Sequence, residues 1–206
     1  MFGDAKNTPY TLSKVKDIAS VRVGIVIQPT KYYSADNCGV KVFRSANVRP
    51  FYVDDSDWAY FTVENHEIMA KTHVHTGDVL IVRSGANLGQ SCVVSEEYDD
   101  FNAIDVLIVS PNTKVIRSDY MCAFVNYPIG RDQILSGQKG IAQKHLNVGV
   151  FENAHIPVPP MHKQEAFCEL VEQSDKSKFN VQIAIYRDVW RYGNQSKRVE
   201  TKHPWC

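Results

Sequence analysis

The sequence predicts an α+β fold: a β-rich globular body over residues 1–157, then a proline hinge and a long helix within 158–206 able to form a coiled coil. Two observations predict it. Through the first part of the chain, short β-branched runs alternate with turn residues, without the rhythm of βαβ units. After Ile156-Pro-Val-Pro-Pro160, which cannot be helical because each proline fixes φ, the pattern switches to a stretch without Pro or Gly.

Val21–Ile27 (VRVGIVI) reads as a strand closed by Gln28-Pro29, and Gly39–Phe43 as a second. Asp54-Asp-Ser-Asp-Trp58 is turn chemistry, since Asp and Ser side chains mimic backbone turns. Val79–Val82 and Cys92–Val94 flank a glycine-containing turn, and Ala103–Val109 is a further strand ended by Ser110-Pro-Asn112. Asp119–Val125 suits a short helix with Ser118 as its cap, and Ser136–Gly140 a polar loop. From about His162 to Trp190, Phe167, Leu170, Val171, Val181, Ile185 and Val189 recur at threes and fours, one face of a helix of about eight turns. Ser174 and Lys178 interrupt that stripe. A helix so long buries its stripe best on another helix, in a partner or in a second copy.

An apolar fraction of 44% in 206 residues supplies a core and excludes intrinsic disorder. No apolar run is long enough to cross a bilayer, and Met1-Phe-Gly-Asp-Ala-Lys lacks a signal-peptide core, so no membrane association is expected. Five scattered cysteines without a CxxC pair suit a reducing, cytoplasmic setting. The zero net charge hides an uneven distribution: residues 1–50 carry +5, 51–105 carry −9 and 106–206 carry +4. Neutrality argues against coating nucleic acid by bulk charge, while leaving room for a locally basic face.

Gly77-Asp-Val-Leu-Ile-Val-Arg-Ser-Gly-Ala-Asn-Leu-Gly89 poses a choice between a phosphate cradle and a turn. Neither GxxxxGK[ST] nor GxGxxG is present, and the residues that follow, Gln-Ser-Cys-Val-Val, are strand-like, so no helix N-terminus faces an anion. A turn displaying Arg83, Ser84, Asn87 and Gln90 is the better reading. Arg can bridge guanine O6 and N7, and Asn or Gln adenine N6 and N7, although polar residues populate every loop. His73-Val-His75 sets two imidazoles on one face of a strand, but nothing near in sequence completes a metal site, and no metal or other cofactor is expected. Cys92, followed by Val93 and Val94, reads as a buried and inert thiol. Val158-Pro-Pro-Met161 lacks the polar group that a methyltransferase motif places before its two prolines, and no glycine-rich cofactor loop accompanies it.

Four blocks together resemble the DNA specificity subunits of type I restriction–modification systems, from about Asp17 to Phe179. They are Val42-Phe-Arg-Ser-Ala-Asn-Val-Arg49, the Gly77–Gly89 stretch, Gly140-Ile-Ala-Gln-Lys-His-Leu-Asn-Val148, and Ile156-Pro-Val-Pro-Pro-Met-His-Lys-Gln-Glu165 with Asp175-Lys-Ser-Lys-Phe179 beyond it. Phe2-Gly-Asp4 is similar to the family's entry segment. The resemblance implies a target-recognition domain that reads one half of a bipartite site in double-stranded DNA. It implies a spacer helix that docks DNA methyltransferase subunits, with restriction subunits in the larger complex, and no catalysis by this chain.

Members of that family usually carry two recognition domains and two helices, whereas this sequence shows one of each. A half-sized subunit pairing with itself as a homodimer, or a fragment, would fit equally. Under the resemblance, DNA contacts are expected from the polar loops: Lys31, Tyr32 and Tyr33; Arg44 and Arg49; Arg83, Ser84, Asn87 and Gln90; Gln138, Lys139, Gln143, Lys144 and His145. Two rivals remain: a non-catalytic interaction module with a coiled-coil arm, and a metal-dependent enzyme using His73 and His75.

Overall fold

The computed structural model describes residues 8–26, 28–35, 38–136 and 145–174. The chain divides into two compact units, Met1–Glu165 and Ala166–Cys206. In order, the first unit contains β1 (Thr11–Lys14), α1 (Val15–Ile18), β2 (Ala19–Val23), β3 (Val40–Phe43), β4 (Val48–Arg49), β5 (Tyr52–Val53) and β6 (Ala59–Phe61). There follow α2 (Val63–Ile68), β7 (Val79–Val82), β8 (Ser91–Val93), β9 (Asn102–Ala103) and β10 (Val106–Pro111). The last elements are α3 (Ser118–Asn126), α4 (Pro128–Ser136), α5 (Val148–Glu152) and β11 (His155–Val158). Strands and helices are thus mixed, as an α+β fold requires.

The main sheet runs β2-β10-β7-β8 and is antiparallel throughout. Its two central strands, β7 and β10, are both Val-Leu-Ile-Val over their paired residues, with Val79 opposite Val109 and Val82 opposite Val106. All eight of these side chains are buried. A strand covered on both faces reads as a continuous apolar run rather than an alternation. One face, with Leu80, Val82, Val106 and Ile108, meets Phe43, Val74, Val94 and Tyr98 in the principal core. On the main sheet α3 lies against β7 and β8, and α5 against β2. Arg22 ties the sheet together: its guanidinium donates to Ser110 Oγ at 2.9 Å, Asp78 Oδ2 at 2.9 Å and the His73 carbonyl at 2.7 Å.

A smaller sheet, β6-β3-β9, joins β3 and β9 in parallel and encloses a second core of Val42, Phe61 and Ile104. Two further pairs, β4–β5 and β1–β11, complete the strands of the described residues. In the second of these Thr11 faces Val158 and Lys14 faces His155; with only two strands both are edges, where Pro157 is tolerated, and Pro159 and Pro160 follow the strand.

Several sequence expectations need correction. The run Ala103–Val109 is not one strand: β9 and β10 belong to different sheets, and the chain breaks at Asp105, which sits at φ 49°. Asp is among the few residues that adopt this left-handed conformation readily. Ser110 and Pro111 extend β10, where it pairs with β2 alone and a proline is tolerated. The first predicted strand stops at Val23, because Gly24 turns the chain beneath the Ala103 carbonyl and Ile25 bridges to Ile104 instead. Ser118 does not cap α3 with its side chain; it is the first helical residue, and its hydroxyl donates to the Gly77 carbonyl at 2.6 Å. Residues 73–75 form no strand beyond a single bridge from His73 to Asn102.

Residues 161–174 are helical. Phe167, Leu170 and Val171 stand on this helix, Leu170 exposed and the other two partly so. Val181, Ile185 and Val189, and with them the expected coiled coil, lie outside the described residues. Among the described residues no helix is long and apolar enough to cross a membrane.

Candidate nucleic-acid interface

The Gly77–Gly89 stretch is a strand and a turn. Val82 and the residues after it close a loop in which Gly89 donates to the Val82 carbonyl at 2.8 Å and Val82 to the Gln90 carbonyl at 2.9 Å. Gly85 and Gly89 sit at φ 79° and 80°, which explains why glycine stands at both. The next element is β8, antiparallel to β7, so the turn does not lead into a helix as a phosphate cradle would.

Three sequence-distant blocks meet here around Asp105. Its carboxylate accepts from Ser84 Oγ at 2.9 Å and lies 3.4 Å from Arg83 Nη1, while its carbonyl accepts from Ser45 Oγ at 3.5 Å. Leu146, from the third block, donates its backbone N–H to the Arg83 carbonyl at 2.8 Å. Asp105 therefore joins the 42–49 loop to the 83–90 turn, and Arg83 joins that turn to the segment around Leu146. Nothing in the sequence marked Asp105, because its role depends on a left-handed backbone that sets its carboxylate against Arg83 and Ser84 and its carbonyl against Ser45.

The expected contact residues are placed unequally. Lys31 is exposed, but the rings of Tyr32 and Tyr33 both pack on Phe61 at 5.9 Å between centroids. Arg44, in the turn after β3, and Arg49, in β4, flank Asn47, a buried side chain that accepts from Arg44 N at 3.0 Å and donates to the Asp54 and Asp57 carbonyls at 3.0 and 2.7 Å. Asn87 and Gln90 bond each other, Gln90 Nε2 donating to Asn87 Oδ1 at 3.2 Å. His145 is exposed. Gln138, Lys139, Gln143 and Lys144 lie outside the described residues.

Pairing offsets part of the uneven charge along the sequence: Arg44 and Arg49 come from the basic segment, while Arg83 belongs to the acidic one. Arg44 meets Asp57 at 2.9 Å, Arg49 meets Asp54 at 3.3 Å and Arg83 meets Asp105, each drawing its aspartate from the acidic segment. Asp54 is held below the ordinary carboxylate range, first by hydrogen bonds from Ser56 and further by Arg49. These guanidiniums are oriented by carboxylates rather than extended into solvent. Arg83 is the most enclosed, with a side chain 15% exposed. Arg44 Nε, Arg83 Nε and Gln90 Oε1 are buried without a hydrogen-bond partner, three orphaned polar atoms among the expected contact residues.

Away from this cluster, His75 stands 3.9 Å from Asp99 and does not pair with His73, which stacks on His66 instead. The metal reading of the His73–His75 pair is thereby overturned: without a strand, the two rings have different neighbours. The fourth block is anchored by a residue that the sequence displayed without explaining. Gln164 is fully buried; it accepts from Arg117 N at 2.9 Å and donates to the carbonyls of Val115 at 3.0 Å and Pro159 at 2.9 Å. It fastens the start of the helix at 161 to the segment entering α3.

No family model matches the chain. In sequence it is 22% identical over 164 residues to the type I restriction enzyme EcoBI specificity subunit of Escherichia coli, covering 80% of this chain and 34% of that subunit. In fold it matches a chain described for the assembly and conformational transition of a type I R-M system, with a TM-score of 0.65 and 15% identity over 93% of this chain and 43% of that one. It also matches the HsdS subunit from Thermoanaerobacter tengcongensis, with a TM-score of 0.59 and 14% identity, over 85% of this chain and 39% of that one. The S subunit from M. genitalium gives a TM-score of 0.52 and 17% identity, over 87% and 44%. The chain thus spans about a third of the curated relative and less than half of each solved structure. In sequence the chain is similar to a type I specificity subunit, and it shares its fold with chains of type I restriction–modification systems.

Proposed function

We propose that the chain recognises a sequence in double-stranded DNA as part of a specificity component, with a recognition domain over residues 1–157 and a hinge and spacer helix over 158–206. It performs no catalytic step. In the cytoplasm it directs DNA methyltransferase subunits, and restriction subunits with them, to one half of a bipartite site. Pairing of two copies through the helix makes that site two-fold symmetric, because protein symmetry is mirrored in the DNA.

The observation that carries this reading is the convergence of Ser45, from the 42–49 block, and Leu146 on the Arg83–Ser84 turn and Asp105. The same blocks carry the likeness to specificity subunits. Paired arginines suit DNA recognition, because a guanidinium already oriented by aspartate exchanges that carboxylate for a phosphate or a guanine edge. Most such contacts hold phosphates and position the protein, and a minority specify bases.

The test is methylation mapping in cells that express this chain with its methyltransferase subunits. A new bipartite methylated motif is expected, lost when the chain is omitted. Methylation that appears without the chain, or none with it, overturns the reading. Duplex binding by the purified assembly must also weaken steeply with salt; salt-independent association would favour a protein-interaction module.

A further inference from the structure

His66, in α2, and His73, just after it, stack face to face with ring centroids 4.0 Å apart and planes 5° from parallel. Asp100, two residues before β9, closes one edge of the stack: its Oδ1 lies 2.7 Å from His73 Nδ1 and its Oδ2 lies 3.5 Å from His66 Nε2. The imidazoles are largely enclosed, with side chains 12% and 13% exposed, while Asp100 is 58% exposed.

The outer nitrogens of both rings are already committed. His66 Nδ1 lies 2.8 Å from Asn102 Oδ1. That amide is oriented by its own NH2 group, which donates to Thr72 Oγ1 at 3.0 Å and faces the Met69 carbonyl at 3.4 Å. The Asn102 atom facing His66 is therefore an acceptor, and His66 Nδ1 carries the proton. His73 Nε2 lies 2.9 Å from the His66 carbonyl and must donate to it. In neutral rings the remaining nitrogens, His66 Nε2 and His73 Nδ1, both turn lone pairs toward the Asp100 carboxylate. Two nitrogen donors and one carboxylate, all within 4.8 Å of one another, present electron pairs to a common space. Imidazoles fixed through their other N–H by a carbonyl or amide oxygen are what a metal site needs around its ligands.

We propose that His66, His73 and Asp100 form a site for one divalent ion of the zinc class. Two imidazoles and one carboxylate favour a borderline ion over magnesium or calcium, which prefer all-oxygen shells. Tetrahedral bonds of about 2.0–2.1 Å place donor atoms about 3.3 Å apart. The gap from His66 Nε2 to Asp100 already approaches this, whereas the gap from His73 Nδ1 must widen. The rings must also tilt out of the stack, since an ion between parallel planes meets neither lone pair in its plane. The adjustment falls on Asp100, the exposed member, and on rotation of the two rings. The fourth position faces the solvent on the Asp100 side. Such an ion cross-links α2 and the turn after it to the segment entering β9, and it is independent of DNA recognition.

The experiment uses the full chain, stripped with chelator and titrated with zinc ion alone by calorimetry, with cobalt(II) absorption reporting geometry. One zinc per chain is expected, with a tetrahedral cobalt spectrum and a raised melting temperature. Asp100 sits at φ 62°, which Asn also tolerates, so Asp100→Asn preserves the backbone while replacing the carboxylate. It should lower zinc affinity by at least about 10-fold. His66→Ala should do the same, and His75→Ala should leave affinity unchanged. No saturable uptake by the intact chain would mean that protons alone hold the stack, and would overturn the proposal. Uptake undiminished in a folded Asp100→Asn protein would place the ion elsewhere and overturn it equally.

Discussion

Arg83 and Asp105 face each other at 3.4 Å, and the same carboxylate holds Ser84 through its other oxygen. The aspartate comes from the loop between β9 and β10, and the arginine from the end of β7. Arg83 therefore has two duties: a strut between segments and, under the proposed function, a contact to DNA. Replacing Arg83 by Ala should weaken specific duplex binding by about 1–3 kcal/mol if it bridges a guanine. Asp105→Asn separates the duties, because it keeps a residue tolerant of φ 49° and the Ser84 contact while removing the charge. It should cost no more than about 1 kcal/mol of stability, as partly exposed pairs do. Binding should hold or strengthen in that variant, since the guanidinium loses its competing carboxylate. An Asp105→Asn protein that stays folded but binds as poorly as Arg83→Ala would make the ion pair itself the recognition element.

Gln164 makes a different kind of junction. One enclosed amide satisfies a backbone N–H and two carbonyls from two segments, leaving neither polar atom of its side chain unpaired. Gln164→Leu fills the same volume but strands all three backbone groups, and should lower the unfolding free energy by about 2–4 kcal/mol in a denaturant titration. Gln164→Glu should be no better at neutral pH, because its second oxygen would face the Val115 and Pro159 carbonyls. A change below about 0.5 kcal/mol in both variants would mean that water replaces the amide.

The central strands were legible because their chemistry is local: a Val-Leu-Ile-Val run buried on both faces has few other uses. The glycine turn was legible too, since Gly85 and Gly89 stand where φ is positive. What the sequence concealed were relations between distant segments. The pairing of β1 with β11, the commitment of each candidate arginine to an aspartate, and the meeting of His66 with His73 and Asp100 all depend on long-range packing. Helix α4 was missed because its apolar periodicity is weak and Gly130 lies within it, although Pro128 at its first position is a helix-start signal. Gly130 is there because a Cβ would strike the Phe124 carbonyl at the corner with α3.

Gly24 is the second place where absence of a side chain decides the path. Its N–H donates to the Val106 carbonyl at 3.0 Å, and Ile25 N donates to the Ala103 carbonyl at 3.0 Å. A Cβ on Gly24 would overlap that same Ala103 carbonyl oxygen, which is backbone and cannot swing away. Gly24→Ala should therefore destabilise by about 1–3 kcal/mol, as overpacking does. Hydrogen exchange should locate the loss at the Ile25 amide; uniform protection across Val23–Ile25 in the variant would contradict this.

The described cysteines differ in burial, with Cys168 between the extremes. Cys92 and Cys122 are buried, and loss of solvation pushes the Cys122 thiol up to about 12 and raises that of Cys92 as well. Cys38 is exposed. Since the thiolate is the reactive form, iodoacetamide at pH 8 should modify Cys38 and leave Cys92 and Cys122 intact until the protein unfolds. Peptide mass mapping after a short pulse reads this directly, and early labelling of Cys92 in native protein would contradict its enclosure in the core.

Asp99 offers a test on the acid side. The Thr76 backbone N–H, at 2.7 Å, and the Thr76 hydroxyl, at 3.0 Å, both donate to its Oδ1, and they hold its carboxyl below the ordinary 3.8, with His75 adding a smaller favourable charge. A carboxylate whose pKa is lower in the folded than in the unfolded chain binds fewer protons when folded. Its contribution is fully present above the unfolded value and disappears as pH falls through the folded one. Asp99→Ala should therefore melt below the parent protein at pH 7, and the gap should close as pH drops below about 4. Thr76→Val, which removes the hydroxyl but keeps the backbone donor, should show a smaller gap with the same pH dependence. A gap that persists undiminished at pH 2 would assign the effect to packing rather than to the ionised carboxylate.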